Sequence, residues 1–164
     1  MKTSLLFVLA VAACVGSEED NFDVSADDQA ADDAFEQSTQ DGKADGELGY
    51  VAVARVARAA GLACSGERIA VAVAVAKAES GFRAGATNTA GNSHGVDRGL
   101  WQINSYYHPN VSDACAFSPS CNARAMASIS NRGTTFRPWW TYVNGKHLPF
   151  MAAARNAQAN VCSD

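Results

Sequence analysis

The sequence predicts an α+β domain dominated by α-helix, with one small irregular lobe. Three observations carry this. Ile69 to Glu79 is an almost uninterrupted apolar, Ala-rich run. Three further segments start or stop at helix-boundary residues: Gly61, Ser118-Pro119 and Pro149. Between them, Arg83 to Asp97 is rich in Gly, Asn, Ser and Thr and reads as loop or as two or three very short strands.

Taken in order, Tyr50 to Ala60 is a short helix with Arg55 and Arg58 on one side and Gly61 as its stop. Ile69 to Val75, IAVAVAV, alternates as a strand would. Its length together with Glu67 and Ser80, and its Ala content, favour a helix instead. Ser65 is the expected cap and Gly81 the expected end. Apolar on every side, this helix belongs at the buried centre of the domain. Leu100 to Asn104 returns to the core. Ser118-Pro119 opens a helix from about Ser120 to Asn131, closed by Gly133. Arg137 to Tyr142 is a short aromatic helix, and Pro149 begins a last one reaching Cys162.

The charge divides the chain. Residues 15–49 hold twelve Asp/Glu and one Lys, whereas residues 50–164 hold eleven Lys/Arg and five Asp/Glu. The acidic stretch 14–49 has few branched apolar residues and is expected to be a disordered tether. The folded domain is expected at residues 50–164, a normal size for one core. Its excess of positive charge suits polyanionic partners, but a modest surplus of Arg is also an ordinary soluble surface.

Residues 1–13 read as a signal peptide: Lys2 precedes the apolar run Leu5 to Ala13, which is too short to span a bilayer. Val11-Ala12-Ala13-Cys14 resembles the lipobox of bacterial lipoproteins, in which the Cys is acylated. Cysteine arithmetic favours this over ordinary signal-peptidase cleavage. Using Cys14 as the anchor leaves an even four, Cys64, Cys115, Cys121 and Cys162. The expected location is therefore a lipid-anchored position in the cell envelope, at the outer membrane. Four cysteines allow three pairings. Cys115 and Cys121 bracket a small loop, which leaves Cys64 with Cys162. That long closure is worth about 4 to 5 kcal/mol in the chain-entropy model. With no CxxC pair and no His at ligand spacing, no metal and no cofactor are expected. His94, His108 and His147 read as loop residues.

The chemistry is concentrated between Ala78 and Ser105. Glu79 lies at the end of the apolar helix, where desolvation would raise its pKa and keep it a proton donor near neutral pH. Asp97 follows eighteen residues later in a polar loop. One greasy and one polar carboxyl suit glycosidic bond cleavage. Tyr106, Tyr107 and His108 put ring faces nearby, and at least one Tyr is expected in a cleft. Trp139 or Trp140 would cover Glu79, or both would be core.

Glu79-Ser80-Gly81-Phe82, Ala86-Thr87-Asn88, Asp97-Arg98-Gly99 and Gln102-Ile103-Asn104-Ser105 resemble the active-site stretch of c-type lysozymes, with one extra residue between the acids. Glu79-Ser80 with Gly99-Leu100-Trp101-Gln102-Ile103 is similar to the bacterial lytic transglycosylase domain. Ser112 to Phe117 and Trp140-Thr141-Tyr142 resemble small bacterial and phage lysozyme-like proteins. The resemblance covers about Val71 to Lys146 and implies a lysozyme-like fold, with a substrate cleft between a helical lobe and a small β/loop lobe. It implies cleavage of the MurNAc-β-1,4-GlcNAc bond of peptidoglycan with Glu79 as general acid, a pattern for which lysozyme is itself the worked case. Asp97 would stabilise or attack the oxocarbenium ion in a muramidase. A transglycosylase would dispense with it, the muramic 6-hydroxyl attacking instead. Arg98 could equally pair with Asp97 and make it structural. Ser80, Asn88, Trp101, Gln102, Asn104, Tyr107, Trp140 and Tyr142 would contact substrate. The implied partners are glycan strands, and the membrane through the lipid anchor alone, with no nucleic acid and a monomeric state. A catalytically silent wall-binding or inhibitory module on the same fold is the alternative, and an effector acting through a protein partner is a third.

Overall fold

The computed structural model describes residues 21–39, 49–91 and 94–163. The expected signal peptide and Cys14 lie outside them. Among the described residues the helices are α1 (Ala26–Thr39), α2 (Tyr50–Ala59), α3 (Arg68–Ser80), α4 (Asp113–Phe117), α5 (Pro119–Ile129), α6 (Trp140–Val143) and α7 (Met151–Cys162). A 3-10 turn, Leu148–Phe150, leads into α7. Three two-residue strands, β1 (Thr87–Asn88), β2 (Asp97–Arg98) and β3 (Ile103–Asn104), form an antiparallel sheet in the order β1-β2-β3. The mainly helical α+β architecture is the one the sequence predicts.

The apolar run is α3, and it is the centre of the domain. Ile69, Ala70 and every residue from Ala72 to Ala76 are fully buried. α2 and α7 pack against it and against each other. Alanine does the positioning here, because small side chains let flanking helices approach on all sides.

The start of α3 differs from expectation. Glu67, not Ser65, occupies the cap position, and no side chain of the segment caps it. The free Ala70 amide instead donates to Gln158 Oε1 of α7 at 2.8 Å. Gln158 Nε2 holds the preceding turn through the Gly66 carbonyl (2.6 Å). The Cys64–Cys162 disulfide closes the same junction. A cap delivered from a helix 88 residues away satisfies the same donor as a local Ser would. At the other end Gly81 has φ 65 and its amide returns to the Lys77 carbonyl, a left-handed stop as expected.

α5 begins with Ser118 as cap and Pro119 in its first turn. Cys115 lies inside α4 and Cys121 in α5, so the Cys115–Cys121 disulfide joins the two helices across the break at Ser118. Both disulfides match the expected pairing. Asn122, fully buried, ties α5 to the irregular lobe: Nδ2 donates to the Ala116 carbonyl (2.9 Å) and Oδ1 accepts from the Trp101 amide (3.0 Å). Gly99 lies in the same knot at φ 74, and a Cβ there would come within 1.9 Å of the Ala116 carbonyl oxygen. Only glycine fits.

The acidic segment is corrected by the structure. It was expected to lack order throughout, yet residues 21–39 lie on the basic domain. Phe22 pairs in parallel with Val111. Ser25 and Asp28 form a reciprocal cap at the start of α1. Asp28 is buried and takes a two-pronged bond from Arg124 of α5 (Nε–Oδ1 2.9 Å, Nη2–Oδ2 2.5 Å). Asp32 accepts from the Ser120 amide at the start of α5 (2.9 Å). Composition predicted disorder because the segment cannot bury apolar surface of its own. It is ordered because its carboxylates meet the donors of α5.

Burial alone would raise the Asp28 pKa, but the Arg124 and Ser25 bonds outweigh it and hold the carboxyl below its usual range. A depressed carboxyl stabilises the fold above its unfolded pKa and loses that contribution as pH falls through the folded one. Asp28→Asn is expected to lower stability by about 1.5 to 3 kcal/mol at neutral pH, and by much less in strong acid, read by urea unfolding. Equal loss at both pH values would contradict the clamp.

Candidate active site

Glu79 stands on the last turn of α3, where the buried helix reaches the surface. One cleft of about 390 Å³ opens there, lined by Glu79, Asp97, Gln102, Ile103, Asn104, Tyr107, His108, Ile129, Pro138, Trp139 and Trp140. The two acids thus come to one cavity, Glu79 from the helical lobe and Asp97 from the sheet.

Their settings contrast. Desolvation raises the Glu79 pKa, and the negative charge of Asp97 adds to it. Thr141 opposes both: its hydroxyl donates to Glu79 Oε1 at 2.5 Å. Burial prevails, so the net shift is upward.

Asp97 pairs in register with Asn88 on one side and Asn104 on the other. Its Oδ1 accepts from Asn104 Nδ2 at 2.8 Å. The Arg98 side chain is buried and binds Asp113 of α4 at 2.6 Å. The Asn104 amide is committed within the lobe. Nδ2 also donates to the His94 carbonyl, and Oδ1 accepts from the Tyr106 and Tyr107 amides. Asn104 therefore positions the acid and the aromatic turn. Gln102 sits at φ 48, and its Nε2 donates to the Gly99 and Ala86 carbonyls (2.8 and 3.2 Å), with Oε1 unspent among the described residues.

The aromatic expectations divide. Tyr107 and Trp140 line the cleft from its two sides and are 67% and 66% exposed, free to stack. Tyr106 instead packs on His94, centroids 4.6 Å apart. Trp139 is buried yet lines the cleft, its Nε1 donating to the Trp101 carbonyl at 2.7 Å. It supplies part of the apolar wall.

Four expected substrate contacts lie outside the cleft lining. Trp101 is fully buried with Nε1 donating to the Ala72 carbonyl (2.9 Å), so it is core. Ser80 is buried and bonded to Ala76 and Phe82, finishing the helix. Tyr142 stacks on His147 at 4.7 Å behind the cleft. Asn88 is exposed on β1, its Oδ1 accepting from Ala90. One residue bonded to the site acid was missed. Thr141 sat inside the Trp-Thr-Tyr resemblance without a role, and a lone Thr gives no signal. His108, read as a loop residue with its ring face near the acids, lines the cleft.

The family model described as a lysozyme-like domain matches residues 54–141, more than half the chain. The chain belongs to the lysozyme-like domain family. No curated protein and no solved structure matches it. The matched stretch of the lysozyme-like domain runs from α2 to Thr141. It contains both acids and every residue that lines the cleft.

A buried acid with a raised pKa costs stability when it ionises. The folded state holds the proton more tightly than the unfolded chain, so stability falls as pH rises from the unfolded pKa through the folded one. Glu79→Gln, which can still accept from Thr141, is expected to raise Tm by a few degrees above that range and to leave it unchanged well below. A Tm difference independent of pH would contradict the desolvated carboxyl.

Proposed function

We propose that the domain cleaves peptidoglycan glycan strands at the MurNAc-β-1,4-GlcNAc bond, with Glu79 as general acid. The observation that supports this most is a half-buried carboxyl whose pKa is raised by desolvation, on the wall of a cleft whose other wall carries Asp97. Glu79 gives its proton to the glycosidic oxygen, and the C1–O bond breaks with its electron pair going to that oxygen. Positive charge then develops at C1, near the Asp97 carboxylate.

Two completions fit the residues. In hydrolysis, Asp97 stabilises or captures the cation, and water, deprotonated by Glu79, ends the reaction. In the transglycosylase route, the muramic 6-hydroxyl attacks C1 and gives its proton back to Glu79, forming a 1,6-anhydro end. The bond from Asn104 holds Asp97 in place for the first route and is idle in the second. It favours hydrolysis.

Tyr107 and Trp140 would stack on the apolar faces of the sugars. Two disulfides suit an oxidising, exported location. With it goes the proposal of a monomer anchored in the envelope through Cys14.

Purified residues 15–164 should release dye from labelled sacculi, and Glu79→Gln should lower kcat by about 10²- to 10⁴-fold. Mass spectrometry of the products should show reducing ends, and Asp97→Asn should be severely impaired. Anhydro ends would replace hydrolysis by the transglycosylase route. Sacculi bound without any release would favour the silent module.

A further inference from the structure

The site description leaves one cleft residue without a task. Asn104 turns the chain after β3, and its carbonyl accepts from the His108 amide at 3.0 Å. The His108 carbonyl accepts from the Val111 amide at 3.1 Å. The backbone is thus tied on both sides, and the imidazole is carried into the lining of the cleft that holds Glu79 and Asp97. The ring is half-buried. Neither ring nitrogen has a hydrogen-bond partner among the described residues. A polar ring placed at a cleft with both nitrogens unspent is suited to a ligand group.

The surroundings set its charge. Burial comes first and the Arg98 guanidinium second, and both hold the imidazole below its usual pKa range. Arg98 is itself buried and bonded to Asp113, and its Nη2 has no hydrogen-bond partner among the described residues. The other titratable groups of the cleft are Glu79 on α3, Asp97 on β2 and Tyr107 beside His108. At neutral pH the ring therefore offers one N–H donor and one lone pair. That pairing matches a hydroxyl or an amide, which both donate and accept, better than it matches a carboxylate.

We propose that His108 is a substrate-contact residue, hydrogen-bonding as the neutral imidazole to a hydroxyl or acetamido group of a hexosamine unit in the cleft. This rests on the glycan-cleaving reading of the same cleft. It adds a specificity contact that the acid pair does not supply. Protonation removes the acceptor and puts a second cation near Arg98, so contact with an uncharged sugar weakens in mild acid.

The test uses the Glu79→Gln protein, which removes turnover and the Glu79 titration, with uncharged tetra-N-acetylchitotetraose as the probe. Kd is measured by calorimetry from about pH 7.5 to about pH 5. Adding His108→Phe, which keeps a ring without nitrogens, should raise Kd at neutral pH by about 2- to 10-fold. His108→Gln should recover most of that loss, which a merely structural role would not produce. Binding by the parent should weaken toward acid, and binding by the Phe variant should stay flat. Equal Kd and equal pH dependence with and without the ring nitrogens would overturn the His108 contact alone. No binding by the Glu79→Gln parent would overturn it together with the glycan reading.

Discussion

The desolvation of one carboxyl is the constraint on which the rest depends. Glu79 sits where a helix apolar on every face emerges from the core, so its side chain inherits a low-dielectric setting from the packing behind it. The charged form loses hydration that Thr141 only partly replaces. Ala72 to Ala76 provide that setting through α2 and α7, which close around them. Fold stability and site chemistry therefore oppose each other at this residue. The packing that makes α3 a good core element makes its last acidic residue a costly charge.

The opposite wall uses hydrogen bonds instead of burial. β2 and β3 are only two residues each, too short to fix Asp97 by pairing alone. Asn104 does so with a fully committed amide that reaches Asp97, His94, Tyr106 and Tyr107 at once. Asn122 and Gly99 then fasten this lobe to α4 and α5. The acidic segment adds a further restraint: Phe22 pairs with Val111, three residues beyond His108, and Asp28 grips Arg124 on α5. A stretch whose composition suggests only a spacer thereby braces the element that carries the cleft-lining Ile129.

What the sequence made legible was local or combinatorial. The Ala-rich run with Gly81 behind it announced α3 and its exit, and with them the environment of Glu79. Ser118-Pro119 marked α5, and the loop between Cys115 and Cys121 left a single partner for Cys64. What stayed illegible was set by contacts across the chain. Gln158 caps a helix 88 positions away, and no local pattern reveals it. Trp101 looked like a substrate platform because motif spacing says nothing of which way an indole points; its N–H is spent on the Ala72 carbonyl. His108 was legible only as a ring near the acids, since the Arg98 charge and the cleft that give an imidazole its task lie outside any local pattern. The order of residues 21–39 was hidden because composition scores a segment's own apolar content and not the charges waiting for it elsewhere.

The most direct measurement is a pH titration of the Glu79 side-chain carboxyl by ¹³C NMR, assigned by loss of its signal in Glu79→Gln. The account predicts a midpoint above the ordinary glutamate range, falling toward that range when Asp97 is replaced by Asn. It also predicts a further rise when Thr141 is replaced by Val. A midpoint at or below the ordinary range in the wild-type protein would contradict it, because an acid already ionised at neutral pH has no proton to give a glycosidic oxygen.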